Sequence, residues 1–124
     1  MSMKVELGEL AERIGEYGFA YLITVGEFGR AHVLAVSPEL ADDALVVAGI
    51  GKHSASNASM HPDVTLVWPP SSEGGYSLIV DGTATVGGGE LAVAPAKAIL
   101  HRPAPGEDGR RVGSDCQPVP LPPA

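Results

Sequence analysis

The residues best able to do chemistry fall in one stretch, Gly49-Ile50-Gly51-Lys52-His53-Ser54-Ala55-Ser56-Asn57. Its glycines let the backbone approach a ligand closely. Lys52 offers a point charge, and Ser54, Ser56 and Asn57 add neutral donors. Ser54 reads as an N-cap, with residues 55–60 making about two helical turns before Pro62. Free N–H groups at a helix start favour an anion, so the stretch predicts a cradle for a phosphate monoester. The competing reading is a solvated glycine loop with a capping serine.

Other chemistries fit this region less well. A dinucleotide fingerprint lacks its third glycine, and the next strand stops at Trp68-Pro69 without an acidic residue. The chain also lacks the helical crossovers of a parallel sheet. A Walker-type loop needs Ser or Thr after its lysine, where His53 stands. Ser56, His61 and Asp63 could recruit a hydrolase, but no nucleophile elbow surrounds a serine. The four histidines show no metal-ligand spacing: His53 and His61 flank a loop, while His32 and His101 are isolated. No metal is expected. Cys116 is the single cysteine, which excludes an intramolecular disulfide and a thiolate cluster.

The elements that must position the loop are mostly strands. Leu7, Leu10, Ile14 and Tyr17 recur at helical spacing, with Glu6, Glu9, Arg13 and Glu16 on the other face, and Gly15 and Gly18 end this lid helix. Glu9 and Arg13 are set to pair at i,i+4. Residues 19–25 and 30–36 read as strands joined by the turn Gly26-Glu27-Phe28-Gly29. Ser37-Pro38 stops the second of these, and Asp42-Asp43 turns the chain into a third strand, residues 44–48. Residues 64–68, 76–86 and 90–100 complete six strands. Gly82 is expected to bend the long fifth strand at a barrel corner, Gly87-Gly88-Gly89 to form a tight turn, and Pro95 to mark an edge or bulge. Strands of this length and spacing suggest a barrel or sandwich.

Composition sets the outer bounds. A chain of 124 residues supports one domain, here residues 1–102, followed by a Pro/Gly-rich tail at 103–124. Apolar residues make up 44% and charged residues 19%, an ordinary globular balance. A formal net charge of −7 argues against nucleic acid as a partner. No run approaches the roughly 18 apolar residues needed to span a membrane, and the N-terminus lacks an apolar signal core. A cytoplasmic location is the expectation.

Taken in order, these marks resemble a known family. A lid helix, a hairpin and a third strand lead to Asn57-Ala58-Ser59-Met60-His61-Pro62-Asp63-Val64, then to Tyr76-Ser77-Leu78-Ile79-Val80-Asp81-Gly82-Thr83-Ala84. The pattern is similar to the FMN-binding split barrels related to pyridoxamine 5'-phosphate oxidase, over roughly residues 5–102. The composition, rich in alanine, glycine and valine, resembles the actinobacterial members, many of which use the deazaflavin coenzyme F-420. The resemblance implies a mainly β, six-stranded Greek-key split barrel with an N-terminal lid helix and a short helix after the third strand. It also implies a homodimer with two cofactors, FMN or a deazaflavin, at the interface. Lys52, Ser54, Ser56 and Asn57 inherit the phosphate site, with His53 as a lesser contact. The ring would lie near Leu34, Ala35, Val36 and Val47. The implied activity is reduction of a small organic substrate by hydride transfer from the cofactor. A non-catalytic cofactor carrier, or a barrel that has lost its cofactor, are the rival readings.

Two departures bear on this. In an ungapped reading the family's loop lysine falls on Ser54, with Lys52 two residues early. The C-terminal helix and Arg-x-His motif of the true pyridoxamine-phosphate oxidases are absent, which argues against that vitamin activity. A deazaflavin with an acidic glutamyl tail needs a basic groove, for which Arg30, Lys52, Lys97, Arg102, Arg110 and Arg111 are the candidates.

Overall fold

Residues 1–104 are described by the computed structural model. Arg110, Arg111, Cys116 and the rest of the tail from residue 105 lie outside the described residues. The chain begins with a strand β1 (Ser2–Val5) and a 3₁₀ turn (Leu7–Glu9) that runs into a short helix α1 (Leu10–Ile14). Then follow β2 (Ala20–Val25), β3 (Ala31–Val36), β4 (Glu39–Ala41) and β5 (Ala44–Ala48). The helix α2 (Lys52–Met60) leads to β6 (Asp63–Trp68), β7 (Ser77–Gly87) and β8 (Glu90–His101).

All the pairings are antiparallel, in the order β3-β2-β6-β7-β8-β5-β4, with β1 added to β8. The protein is therefore mainly β, a curled antiparallel sheet with two short helices. Among the described residues it has eight strands rather than the expected six. The additions are β1 and β4, of four and three residues. Both are too short to show a period, and both form only because a partner strand, β8 or β5, offers its edge.

Alternation decides which residues meet inside. Leu22, Leu45, Leu66, Trp68, Leu78, Val80, Leu91 and Val93 are fully buried and form the centre of one core. Each such side chain contributes about 1.5–3 kcal/mol by leaving water. The lid helix is shorter than its apolar spacing suggests. Leu10 is buried and Ile14 and Tyr17 pack against the core, while Leu7 in the 3₁₀ turn is 46% exposed. Glu9 closes that turn, and Arg13 meets Glu16 instead, at 3.8 Å. Tyr17 donates a hydrogen bond to the Tyr76 carbonyl at 3.0 Å. Burial first, and the Glu16 carboxylate next, hold this phenol above its ordinary range, so it stays a donor.

The long β7–β8 hairpin carries the bend. Its two-residue turn has positive φ at both Gly88 and Gly89, the primed geometry that continues the strand twist. The register shifts between Asp81 and Gly82, where Gly82 lies opposite Pro95. A Cβ on Gly82 would stand 2.5 Å from the Ala94 carbonyl oxygen and 2.6 Å from Val93 Cγ1. Backbone cannot withdraw cheaply, so the glycine is obligatory at this bulge. Gly82→Ala is expected to destabilise the protein by about 1–3 kcal/mol, the cost of overpacking a closed site. Urea denaturation checks this, and an unchanged midpoint would mean the two strands are free to part at the bulge.

Candidate functional site

The helix α2 is positioned by a polar clasp. The Asn57 amide donates to the Thr24 hydroxyl at 3.2 Å, and Thr24 is fully buried on β2. The approach is close because Gly26 has no side chain: a Cβ there would stand 2.7 Å from Asn57 Oδ1. Gly26 also closes the β2–β3 hairpin, its N–H donating to the Arg30 carbonyl at 2.8 Å. One residue therefore sets both the hairpin and its distance from α2.

Between these two elements lies an open cleft of about 670 Å³. Gly26, Glu27, Arg30, Ala31 and His32 line it from the hairpin, and Lys52, His53, Ser56, Asn57 and Met60 from the helix. The helix residues fall one turn apart, so they form a single face. The N-cap of α2 is Gly51, not Ser54, and it makes no side-chain cap. The first-turn N–H groups, which have no intrahelical acceptor, are thus not occupied by a capping side chain. In an acidic chain, Arg30 and Lys52 bring two fixed cations to one cleft against one carboxylate, Glu27. The imidazoles of His32 and His53 lie nearly parallel, with ring centres 5.9 Å apart and planes at 22°.

Of the residues expected to hold a phosphate, Lys52, His53, Ser56 and Asn57 meet on this cleft. Ser54 does not line it. It is 1% exposed and packs inward with Ala58, one helical turn on. The four residues expected near the ring lie elsewhere on the sheet. Leu34 and Val36 alternate with the exposed Ala35 along β3, and Val47 is buried in the core beside Leu45. None of these four lines the cleft. Of the other candidate cations, Lys97 borders a separate cleft against β1, and Arg102 another, where its guanidinium sits 4.4 Å above the Tyr76 ring. Gly26, Ala31, His32 and Met60 are cleft residues that sequence spacing does not mark. The only local signal was the turn glycine, since their convergence depends on packing α2 against a hairpin some twenty-five residues upstream.

No family model matches the chain. Two uncharacterized mycobacterial proteins, from Mycobacterium bovis and Mycobacterium tuberculosis, are each 43% identical over 82% of both chains, and the chain belongs to one family with them. Among solved structures, a FAD-binding protein of Mycobacterium smegmatis superposes with a TM-score of 0.61 at 15% identity, covering 82% of this chain and all of that one. An F420 reductase superposes at 0.57 and 15% identity, covering 70% and 94%. A candidate pyridoxamine 5'-phosphate oxidase of Corynebacterium glutamicum gives 0.57 at 12% identity, covering 80% and 92%. The chain shares its split-barrel fold with these proteins. In this split barrel, as in any fold, activity lives in the site rather than in the architecture.

The clasp can be tested apart from any ligand. Asn57→Ala leaves the Thr24 hydroxyl buried without that donor and loosens α2, so a loss of about 1–3 kcal/mol is expected in chemical denaturation. A variant as stable as the parent would show that α2 is held by packing alone.

Proposed function

We propose that this split barrel binds the phosphate of FMN or a deazaflavin in the α2 cleft and serves as a cytoplasmic, homodimeric reductase of a small organic substrate. The observation that carries the reading is the meeting of Arg30 and Lys52 across a cleft bounded by a helix whose first turn has no capping side chain. The donor set suits a phosphate: two fixed cations, the Ser56 hydroxyl and free backbone N–H groups. The cleft volume falls in the range that holds a cofactor-sized ligand. The neighbours named for FAD and F420 share the fold, which adds support of the same kind.

In this reading Lys52 and Arg30 neutralise the phosphate from opposite walls, and Ser56 orients it. Asn57 is committed to Thr24 through its amide, so it holds the wall in place and has only its oxygen to offer a ligand. Met60 and Ala31 present apolar surface toward the rest of the ligand. A bound flavin or deazaflavin supplies the hydride chemistry itself, and the protein supplies position and field. The placement of cations favours FMN. Lys97 and Arg102 border other clefts and do not extend the basic surface along a glutamyl tail.

A homodimer fits the outer face of the sheet. Tyr21, Ile23 and Val33 stand on that face with Ala35, Val67 and Ile79, each directly opposite another of the set. Val33 is 55% and Tyr21 38% exposed, an apolar area of the kind that a second copy covers.

Titration with FMN and, separately, with the deazaflavin is expected to show micromolar binding of FMN, followed through cofactor fluorescence. Lys52→Ala and Arg30→Ala are each expected to weaken it by about 1–3 kcal/mol, the scale of a charge-assisted hydrogen bond. Binding of neither compound overturns the reading in favour of a barrel without cofactor. In sedimentation, Val33→Glu is expected to convert a dimer to a monomer, and a dimer that survives it lies on another face.

A further inference from the structure

We propose that β3 is a pairing edge for a second copy of this chain, the two β3 strands joining antiparallel about Val33 into one continuous sheet. This contact rests on the homodimer reading above and adds how the copies join. In the order of the sheet β3 stands last, hydrogen-bonded to β2 alone. The hairpin register fixes which of its backbone groups are left over. Gly26 and Arg30 form a hydrogen-bonded pair, the Gly26 N–H donating to the Arg30 carbonyl at 2.8 Å. Hydrogen-bonded and non-hydrogen-bonded pairs alternate along an antiparallel ladder, so Val25–Ala31, Ile23–Val33 and Tyr21–Ala35 are of the second kind. The N–H and C=O groups of Ala31, Val33 and Ala35 therefore point away from β2. Among the described residues no backbone partner meets them.

Sheets guard such edges with charge, proline, a bulge or brevity. The opposite end of this sheet does so. There β4 has only three residues, begins with Glu39, and lies between Pro38 and Asp42-Asp43. The strand β1, off that order, has four residues and carries Lys4. None of these devices protects β3. Its six residues, Ala-His-Val-Leu-Ala-Val, hold no lysine, arginine, carboxylate or proline, and its register with β2 runs without a bulge. Ala31, Val33 and Ala35 are all exposed.

The strand suits its own copy. A two-fold axis through Val33 sets Val33 against the partner's Val33 and Ala31 against the partner's Ala35, so each outward N–H meets an outward C=O. A register two residues away leaves Ala31 or Ala35 opposite a residue outside the strand. No like charges meet, because Arg30 falls opposite the partner's Val36. Small side chains flanking a central pair of valines fit a pleated surface. The same register sets the partner's Leu34 across from His32, on the face that borders the α2 cleft. The second copy thus adds an apolar group to the cleft wall.

The test is sedimentation of the full chain, together with amide hydrogen exchange. The parent is expected to be a dimer in which the Val33 and Ala35 N–H groups exchange slowly, and to lose that protection on dilution to monomer. Ala35→Pro removes an outward N–H and no bond of the hairpin itself, which an edge strand tolerates. It is expected to raise the dimer dissociation constant by about tenfold or more while circular dichroism stays that of the parent. Ala35→Val keeps the N–H and adds bulk on the outer face, and is expected to leave the dimer intact. A monomeric parent overturns both the pairing and the homodimer reading. A dimer that Ala35→Pro leaves unchanged, or that Ala35→Val also breaks, overturns the pairing alone, since the copies then meet through another contact. If Ala35→Pro does not fold, the parent decides: fast exchange at Val33 and Ala35 within the dimer overturns the pairing.

Discussion

The geometry of the cleft depends on how closely α2 can approach β2, and that distance is set by one amide lying where a side chain is missing. The helix also lies against β7, but it brings little apolar surface to bury. Its sequence, Lys-His-Ser-Ala-Ser-Asn-Ala-Ser-Met, offers few apolar groups, and only Ser54 and Ala58 are buried. Hydrophobic burial of that kind gives weak and imprecise docking. The Asn57–Thr24 hydrogen bond adds direction, and Gly26 lets the two elements close on it. Lys52, His53 and Ser56 inherit their positions from this contact, because they sit on the same helix within two turns.

Electrostatics then act on a surface that packing has already shaped. A chain of net charge −7 repels anions at long range, yet the cleft gathers Arg30 and Lys52 against a single carboxylate. Beyond about a Debye length, roughly 8–10 Å, screening removes most of the overall repulsion. Inside that distance the local cations and the partial positive charge of the helix start prevail. The phosphate site proposed above is in this way compatible with an acidic chain, because it asks only for local positive charge.

Much of the sheet was legible in the sequence, because the information there is local. Alternation in residues 20–25, 63–68 and 77–87, the Gly88-Gly89 turn, the corner glycine Gly82 and the irregularity at Pro95 each announce themselves within a few residues, while the pairing of Gly82 with Pro95 does not. The strands β1 and β4 were not legible, since a three- or four-residue strand exists only by virtue of its neighbour. The site was half legible. The glycine loop marked the helix start, but a serine at the third helical position looked like its cap. Gly51 fills that role, and Ser54 turns into the core. Leu34 and Val36 face the opposite side of β3 from Ala35, because consecutive strand residues alternate. Arg30 was visible as a charge and His32 as an isolated histidine; neither could be assigned to the cleft without knowing where the hairpin folds.

The β2–β3 hairpin serves two surfaces at once, and this has a thermodynamic consequence. From its tip and the start of β3 it presents Gly26, Arg30, Ala31 and His32 to the cleft. From its outer face it presents Tyr21, Ile23 and Val33 to whatever covers the sheet. The strand β3 lies at the edge of the sheet order, bonded on one side to β2. An edge strand is the part of a sheet least held by its neighbours, and its fluctuations are the most open to damping by a partner. If a second copy covers this face, as proposed above, association orders the strand that carries Arg30 and His32 and so strengthens ligand binding. Linkage requires the reverse as well: a ligand that fixes the hairpin tip must tighten the dimer by the same factor. The coupling needs no pathway through the core, because one two-stranded element forms a wall of both sites.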